Sequence, residues 1–172
     1  MYVLQNILDI NTKLIIYHAL FASVMQYGVE LWGSSSGMEA VFKIQKKYLR
    51  IMTNAKPRAS CKGIFRDLNV LTLPSLFILK CLNFVKCNFD MLMEEQHLHN
   101  YETRNRSDFQ YPIHRLSSFE KLPHYLGKKL YNKLPAGIKN IESNIKFKKE
   151  VKSLLMEKVY YSINDYLTNT LN

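Results

Sequence analysis

The stretch from Thr72 to Phe89 constrains this chain most. Thr72 has the chemistry of a helix N-cap, and Pro74 is tolerated in a first turn, so the spacing predicts a helix starting there. Leu76, Leu79, Leu82, Phe84, Val85 and Phe89 make that helix apolar over much of its circumference. A helix apolar on most sides cannot lie on a surface, so it is expected at the centre of a bundle with other helices around it.

The segments before it supply candidates. Leu14, Tyr17, His18, Phe21, Val24 and Met25 recur at helical spacing. Asn11 or Thr12 is expected to cap this helix, and Gly28 suits the position just past its end. His18 reads as a core or boundary residue. Trp32 is expected to pack the corner, and Gly33-Ser-Ser-Ser-Gly37 reads as a turn. It is no phosphate loop, because no Gly-Lys-Ser/Thr follows it. Ser36 and Glu39 have capping-box spacing, which predicts a second helix from near Gly37. Pro57 should stop that helix. Ser60 is expected to cap a short third helix through Leu68, with Ile64, Phe65 and Leu68 inside.

The second helix has two chemically different sides. With Phe42 set at 0° and 100° per residue, Lys46, Arg50, Lys43 and Lys47 fall at roughly 40°, 80°, 100° and 140°. Val41, Ile44, Tyr48, Leu49, Ile51 and Met52 fall between roughly 180° and 340°. Lysines opposite an apolar stripe are ordinarily a solvated face. Against that reading, the row reads as all positive, without an interleaved Glu for i,i+4 pairing. Lys56, Arg58, Lys62 and Arg66 follow before any acid does.

Composition points the same way. The chain has 24 Lys and Arg against 14 Asp and Glu, a formal net charge of +10, which favours an acidic partner, nucleic acid before an anionic membrane surface. Six glycines and five prolines are too few for a turn-rich β design. Three cysteines are an odd number, and no secretory leader pattern opens the chain, so the thiols are expected to be reduced and the protein intracellular, nuclear or cytoplasmic. The longest charge-free run, residues 14–29, is short for a span and carries His18 and Gln26, so no membrane helix is expected.

Beyond Met93 the composition changes. Residues 1–92 are expected to form a helical bundle, 93–115 a polar linker or arm, and 116–172 a basic helical segment that docks on the bundle or stands apart. Pro123, Gly127 and Pro135 should allow only short helices between 122 and 137. Ser143 is expected to cap a final helix with Ile145, Val151, Leu154, Leu155 and Val159 inside. Lys146, Lys148, Lys149 and Lys152 form a second basic patch on it.

Catalytic chemistry has little footing. Metal-dependent polymerases and nucleases need clustered carboxylates, and there is no Asp-Asp or Asp-x-Asp. Cys81 and Cys87 followed by His97 and His99 match no common zinc spacing, and both cysteines read as core thiols. No catalytic residue, metal site or cofactor is expected.

Several linked segments resemble a known family. They are Leu-Ile-Ile-Tyr-His-Ala-Leu-Phe-Ala-Ser at 14–23, Tyr27-Gly28 with Leu31-Trp32-Gly33-Ser34-Ser35, and Ile44-Gln-Lys-Lys-Tyr-Leu-Arg-Ile51. They are similar to the region just after the polymerase core of non-LTR retrotransposon reverse transcriptases of the Jockey and chicken-repeat kind. Tyr101-Glu-Thr-Arg-Asn105, Pro112-Ile-His-Arg115, Tyr125-Leu-Gly-Lys-Lys-Leu-Tyr-Asn-Lys-Leu-Pro135 and Phe147-Lys-Lys-Glu-Val-Lys152 resemble the tail of the same proteins. The resemblance implies a thumb and post-thumb region, in which a helical bundle grips template–primer duplex. The palm aspartates, in a Phe/Tyr-x-Asp-Asp motif, would lie upstream, and this chain would be a terminal fragment or a decayed copy.

The expectation is therefore a mainly α, thumb-like bundle followed by a mixed loop and short-helix region and a C-terminal helix. Its partners would be DNA, RNA or an RNA–DNA hybrid, with the upstream polymerase core as a further partner. Phosphate contacts are expected from Lys43, Lys46, Lys47, Arg50, Lys56 and Arg58, and more weakly from Arg104, Arg106 and Arg115, whose competing role is fixing the arm. The alternative is a helical protein-interaction module with Tyr27 and Trp32 as anchors.

Overall fold

The structure, a computed structural model, describes residues 7–94 and 108–168. The fold is mainly helical, and no strand occurs among the described residues. In chain order the helices are α1 (Ile10–Ile16), a π-helical turn (Tyr17–Ala22), α2 (Ser23–Gln26), α3 (Val29–Trp32), α4 (Met38–Met52), α5 (Lys62–Asp67), α6 (Leu73–Cys87) and α7 (Phe89–Glu94). A 3-10 turn (Phe119–Lys121), α8 (Pro123–Asn132), α9 (Ala136–Lys139), α10 (Asn144–Lys158) and α11 (Ile163–Thr168) follow. None of the helices among the described residues is long and apolar enough to cross a membrane.

α6 is the axis, as its apolar circumference requires. Leu73, Phe77, Ile78, Leu82 and Val85 are fully buried, and α3, α4, α8, α10 and α11 all pack against it. A single apolar core therefore runs through both halves of the chain, including Tyr17 and Leu49 early and Leu130, Phe147, Val151, Leu155 and Tyr166 late. The C-terminal segment docks on the bundle.

The start of α6 is held by a buried polar cluster. The first N–H groups of a helix have no partner within it and must find one elsewhere. Thr72 Oγ1 accepts from the Ser75 N–H at 3.1 Å, as the sequence predicts for a cap, and Pro74 has no N–H to satisfy. The Leu73 N–H donates to Gln45 Oε1 at 2.9 Å. Gln45, fully buried on α4, also donates from Nε2 to Tyr17 Oη at 2.8 Å and to the Leu71 carbonyl at 2.9 Å. The Thr72 hydroxyl donates to the Tyr160 carbonyl at 2.6 Å. One cluster thus joins the π turn, α4, α6 and the chain leaving α10.

Two glycines allow close helix approach. A methyl group at Gly127 on α8 would sit 2.7 Å from Val85 Cγ2, and one at Gly33 would sit 2.3 Å from Phe77 Cδ2. α8 accordingly runs ten residues, longer than its proline and glycine content predicts. Pro123 stands in its first turn, where a missing N–H costs nothing, and Gly127 is a packing contact.

Other local expectations change. Asp9 caps α1, accepting from the Asn11 N–H at 3.0 Å and the Thr12 N–H at 3.3 Å; Asn11 and Thr12 lie inside or beside that first turn. The π turn inserts an extra residue, which moves the buried series to Tyr17, Ala22, Met25 and Val29 and turns Val24 and His18 outward. Gly28 takes the left-handed conformation at φ 56°. The Trp32 indole closes the corner by donating to the Tyr27 carbonyl at 3.0 Å. The capping box at Ser36 and Glu39 does not form; α4 starts at Met38 after Gly37 with no side-chain cap. On α10, Ile145 is 83% exposed, contrary to its expected inside position, and Phe147 is buried. Of the expected polar arm, residues 95–107 lie outside the described residues, and the rest is anchored at Phe109, which is buried and exchanges backbone bonds with the Asn132 amide at 2.8 and 2.7 Å, while Tyr111 and Ile113 are exposed.

Two stability outcomes are expected. Gln45→Leu strands the Leu73 N–H and the Leu71 carbonyl, and at about 1–3 kcal/mol per unsatisfied buried group it should lower unfolding free energy in urea by about 2–6 kcal/mol. A loss below about 1 kcal/mol would contradict the cluster's role. Gly127→Ala gains about 1 kcal/mol of helix propensity but overpacks Val85 at a cost of about 1–3 kcal/mol. Net destabilisation is expected, and a raised Tm would mean that α8 does not approach α6 this closely.

Candidate nucleic-acid interface

α4 buries Met38, Phe42, Gln45, Leu49 and Met52, an arc centred near roughly 320° and so at one edge of its expected apolar side. Phe42 therefore belongs to the core and Ile44, 55% exposed, does not. This rotation divides the basic row. Lys47 stays in solvent on the far side. Lys43 is exposed too, but its ammonium lies 2.8 Å from the Glu39 carboxylate one turn earlier. The row is thus not all positive: Glu39 is interleaved, and the hydrogen bond and charge of Lys43 hold its carboxyl below the usual value.

Lys46 and Arg50 lie on the flank next to the core and are half-buried. The Lys46 ammonium stands 4.5 Å from the Phe42 ring centroid and 5.3 Å from that of Tyr161, tying α4 to the segment before α11. Arg50 Nε donates to the Ala59 carbonyl at 3.0 Å and fixes the loop after α4. Both cations serve the fold. Lys56 and Arg58 are exposed on that loop. Arg115 is exposed, beside a His114–Glu120 pair at 2.9 Å. The hydrogen bond to Glu120 raises the His114 pKa above its ordinary value. Arg104 and Arg106 lie outside the described residues.

α10 carries the other basic surface. Its buried line is Phe147, Val151 and Leu155, and Lys146, Lys148, Lys149 and Lys152 are all exposed. Lys148 and Lys152 reach a cleft of about 270 Å³ between the π turn, α6 and α10, where they meet Lys80 of α6. Sequence reading passed over Lys80. The signal was a cation in the middle of a largely apolar helix, where it is half-buried. A wider cleft of about 620 Å³ is lined by the Gly33–Ser36 turn with Lys46, Lys121 and Tyr161.

The two buried thiols have little nucleophilic character. Burial pushes Cys81 up to about 12 and raises Cys61 as well. Cys87, the last residue of α6, is exposed, contrary to its expected core position. Among the described residues no three His, Cys, Asp or Glu side chains gather as a metal site would need; His97 and His99 lie outside them.

What this arrangement can do is present cations from α4, the following loop and α10 to an anionic partner. No family model, curated protein or solved structure matches the chain.

Proposed function

We propose that this chain is a nucleic-acid-binding helical module that holds a strand or duplex through its phosphates. In this reading it is the thumb and C-terminal part of a non-LTR retrotransposon reverse transcriptase, and the catalytic palm belongs to another segment. The supporting observation is where the charge sits. In a chain of formal net charge +10, the fold leaves Lys43 and Lys47 of α4, Lys56 and Arg58 of its following loop and Lys146, Lys148, Lys149 and Lys152 of α10 in solvent. Burying the apolar faces against α6 leaves those cations nowhere else to go. Phosphate contacts fix position without reading sequence, which suits a gripping role.

A second reading is favoured by one specific observation. Ile15, Leu20, Val24, Tyr27 and Leu31 are each between 68% and 86% exposed and recur every three to five residues along the first helices. Single exposed apolar residues need no explanation, but a series of large ones marks protein contact. A protein body such as the upstream polymerase core would cover it. The two readings are compatible, and in both the chain by itself has no polymerase activity. Primer extension with purified protein, Mg²⁺ and dNTPs should stay at the no-protein level, and extension that survives further purification would refute this.

The binding reading is tested by salt titration on oligonucleotides of unrelated sequence. Lys43, Lys47, Lys56 and Arg58 are changed together to Gln; Lys46 and Arg50 are spared because they hold the fold. If two to four of these groups touch phosphates, the log–log salt slope on duplex should lose about 2–4 units, at about 0.9 per phosphate. The affinity loss should be similar for all sequences. Wild-type protein that binds no oligonucleotide, or binds independently of salt, would overturn the reading.

A further inference from the structure

The cleft between the π turn, α6 and α10 has a composition that the outer basic surfaces lack. Three lysines from two helices enter it: Lys80, half-buried, and Lys148 and Lys152, exposed at its rim. Not one of its lining residues is acidic. On α4, by contrast, Lys43 is paired with Glu39. Asn69, Asn83, Gln26 and His18 add neutral polar groups to the wall, over an apolar floor that includes Leu76 and Leu79. The Asn69 backbone is left-handed, at φ 51°, a conformation that asparagine tolerates better than most residues.

We propose that this cleft seats one nucleotide unit, with the phosphate at Lys80, Lys148 and Lys152 and the base against the amide and imidazole wall. This rests on the nucleic-acid reading and names a seat within it. Three arguments carry the assignment. Like charges from two helices lining one cleft favour an anion there, and a phosphate presents enough acceptor oxygens for three ammonium groups. A cavity of about 270 Å³ is at the small end for ligand sites, the right order for a single nucleotide and too small for a duplex. Asparagine amides both donate and accept, as the edges of bases require, and His18 offers a ring face for stacking. The strand bound here is therefore single, whereas the outer lysines of α4 can follow either form.

Nuclear magnetic resonance on the full chain tests the seat. The side-chain amide signals of Asn69 and Asn83 are followed during titration with a short single-stranded oligonucleotide, with AMP and with inorganic phosphate. A parallel protein carries Lys80→Gln, Lys148→Gln and Lys152→Gln, and oligonucleotide affinity is measured by anisotropy. The seat is supported if the oligonucleotide shifts both amide signals in wild type, and if the triple variant loses those shifts and about 0.7 of salt slope per phosphate released. Tighter saturation by AMP than by the oligonucleotide also supports it and makes a free nucleotide the source; an equal response to inorganic phosphate would reduce it to an anion site and overturn the base contact. If the oligonucleotide binds by anisotropy while both amide signals stay put, the seat is wrong and the nucleic-acid reading survives. If neither oligonucleotide nor AMP binds, both fall. The wild-type signals decide the matter even if the triple variant does not fold.

Discussion

The fold hangs on the buried hydrogen bonds at the start of α6. A helix that is apolar on nearly every side can be placed at the centre of a bundle, but its N-terminal N–H groups then lose water as well. Gln45 and Thr72 replace that water. Gln45 serves three partners from three elements, and Thr72 caps the helix while binding the carbonyl of Tyr160, 88 residues away in sequence. In a low-dielectric interior each bond strengthens and each loss is costly, so a fully satisfied cluster fixes one arrangement of its elements. It sets the rotation of α4, and that rotation decides which lysines of the row reach solvent.

The same rotation separates structural from available cations. Lys46 over Phe42 and Tyr161, and Arg50 on the Ala59 carbonyl, spend their charge on holding α4, its loop and the segment before α11. Lys47, Lys56 and Arg58 are left outside, as are the lysines of α10 once Phe147, Val151 and Leu155 have turned inward. Close approach of α8 to α6 at Gly127 and of the Gly33 corner to Phe77 keeps the core tight enough for both halves to share it. What remains exposed is a basic surface, a basic cleft and an apolar series on the first helices.

Much of this was legible in the sequence. The Thr72 cap, Pro74 in the first turn, the central place of α6 and the mainly α class all follow from local chemistry and periodicity. Less legible were features in which one position departs from its period. The π turn shifted the buried series by one residue, so Val24 appeared inside when it is outside. Gln45 lies in the buried arc of α4, where a polar side chain looks like an interruption until its three partners are known. Gly127 reads as a helix breaker in sequence and is a packing contact in space. The cation row was legible as a row, but its division depended on Tyr161 and Ala59, which are brought there by tertiary structure. The capping box failed because Glu39 pairs forward with Lys43 instead of back toward Ser36.

The central claim is that α6 is the shared axis of one cooperative core spanning both halves of the chain. Native-state hydrogen exchange across a urea series tests it most directly. If the claim holds, the amides of Leu76, Ile78 and Leu82 exchange only through global unfolding, and those of Leu130 on α8 and Val151 on α10 join them at the same free energy. Exchange of Leu130 and Val151 at a clearly lower free energy, with α4 and α6 still protected, would show that the C-terminal half opens alone and that the core is not one.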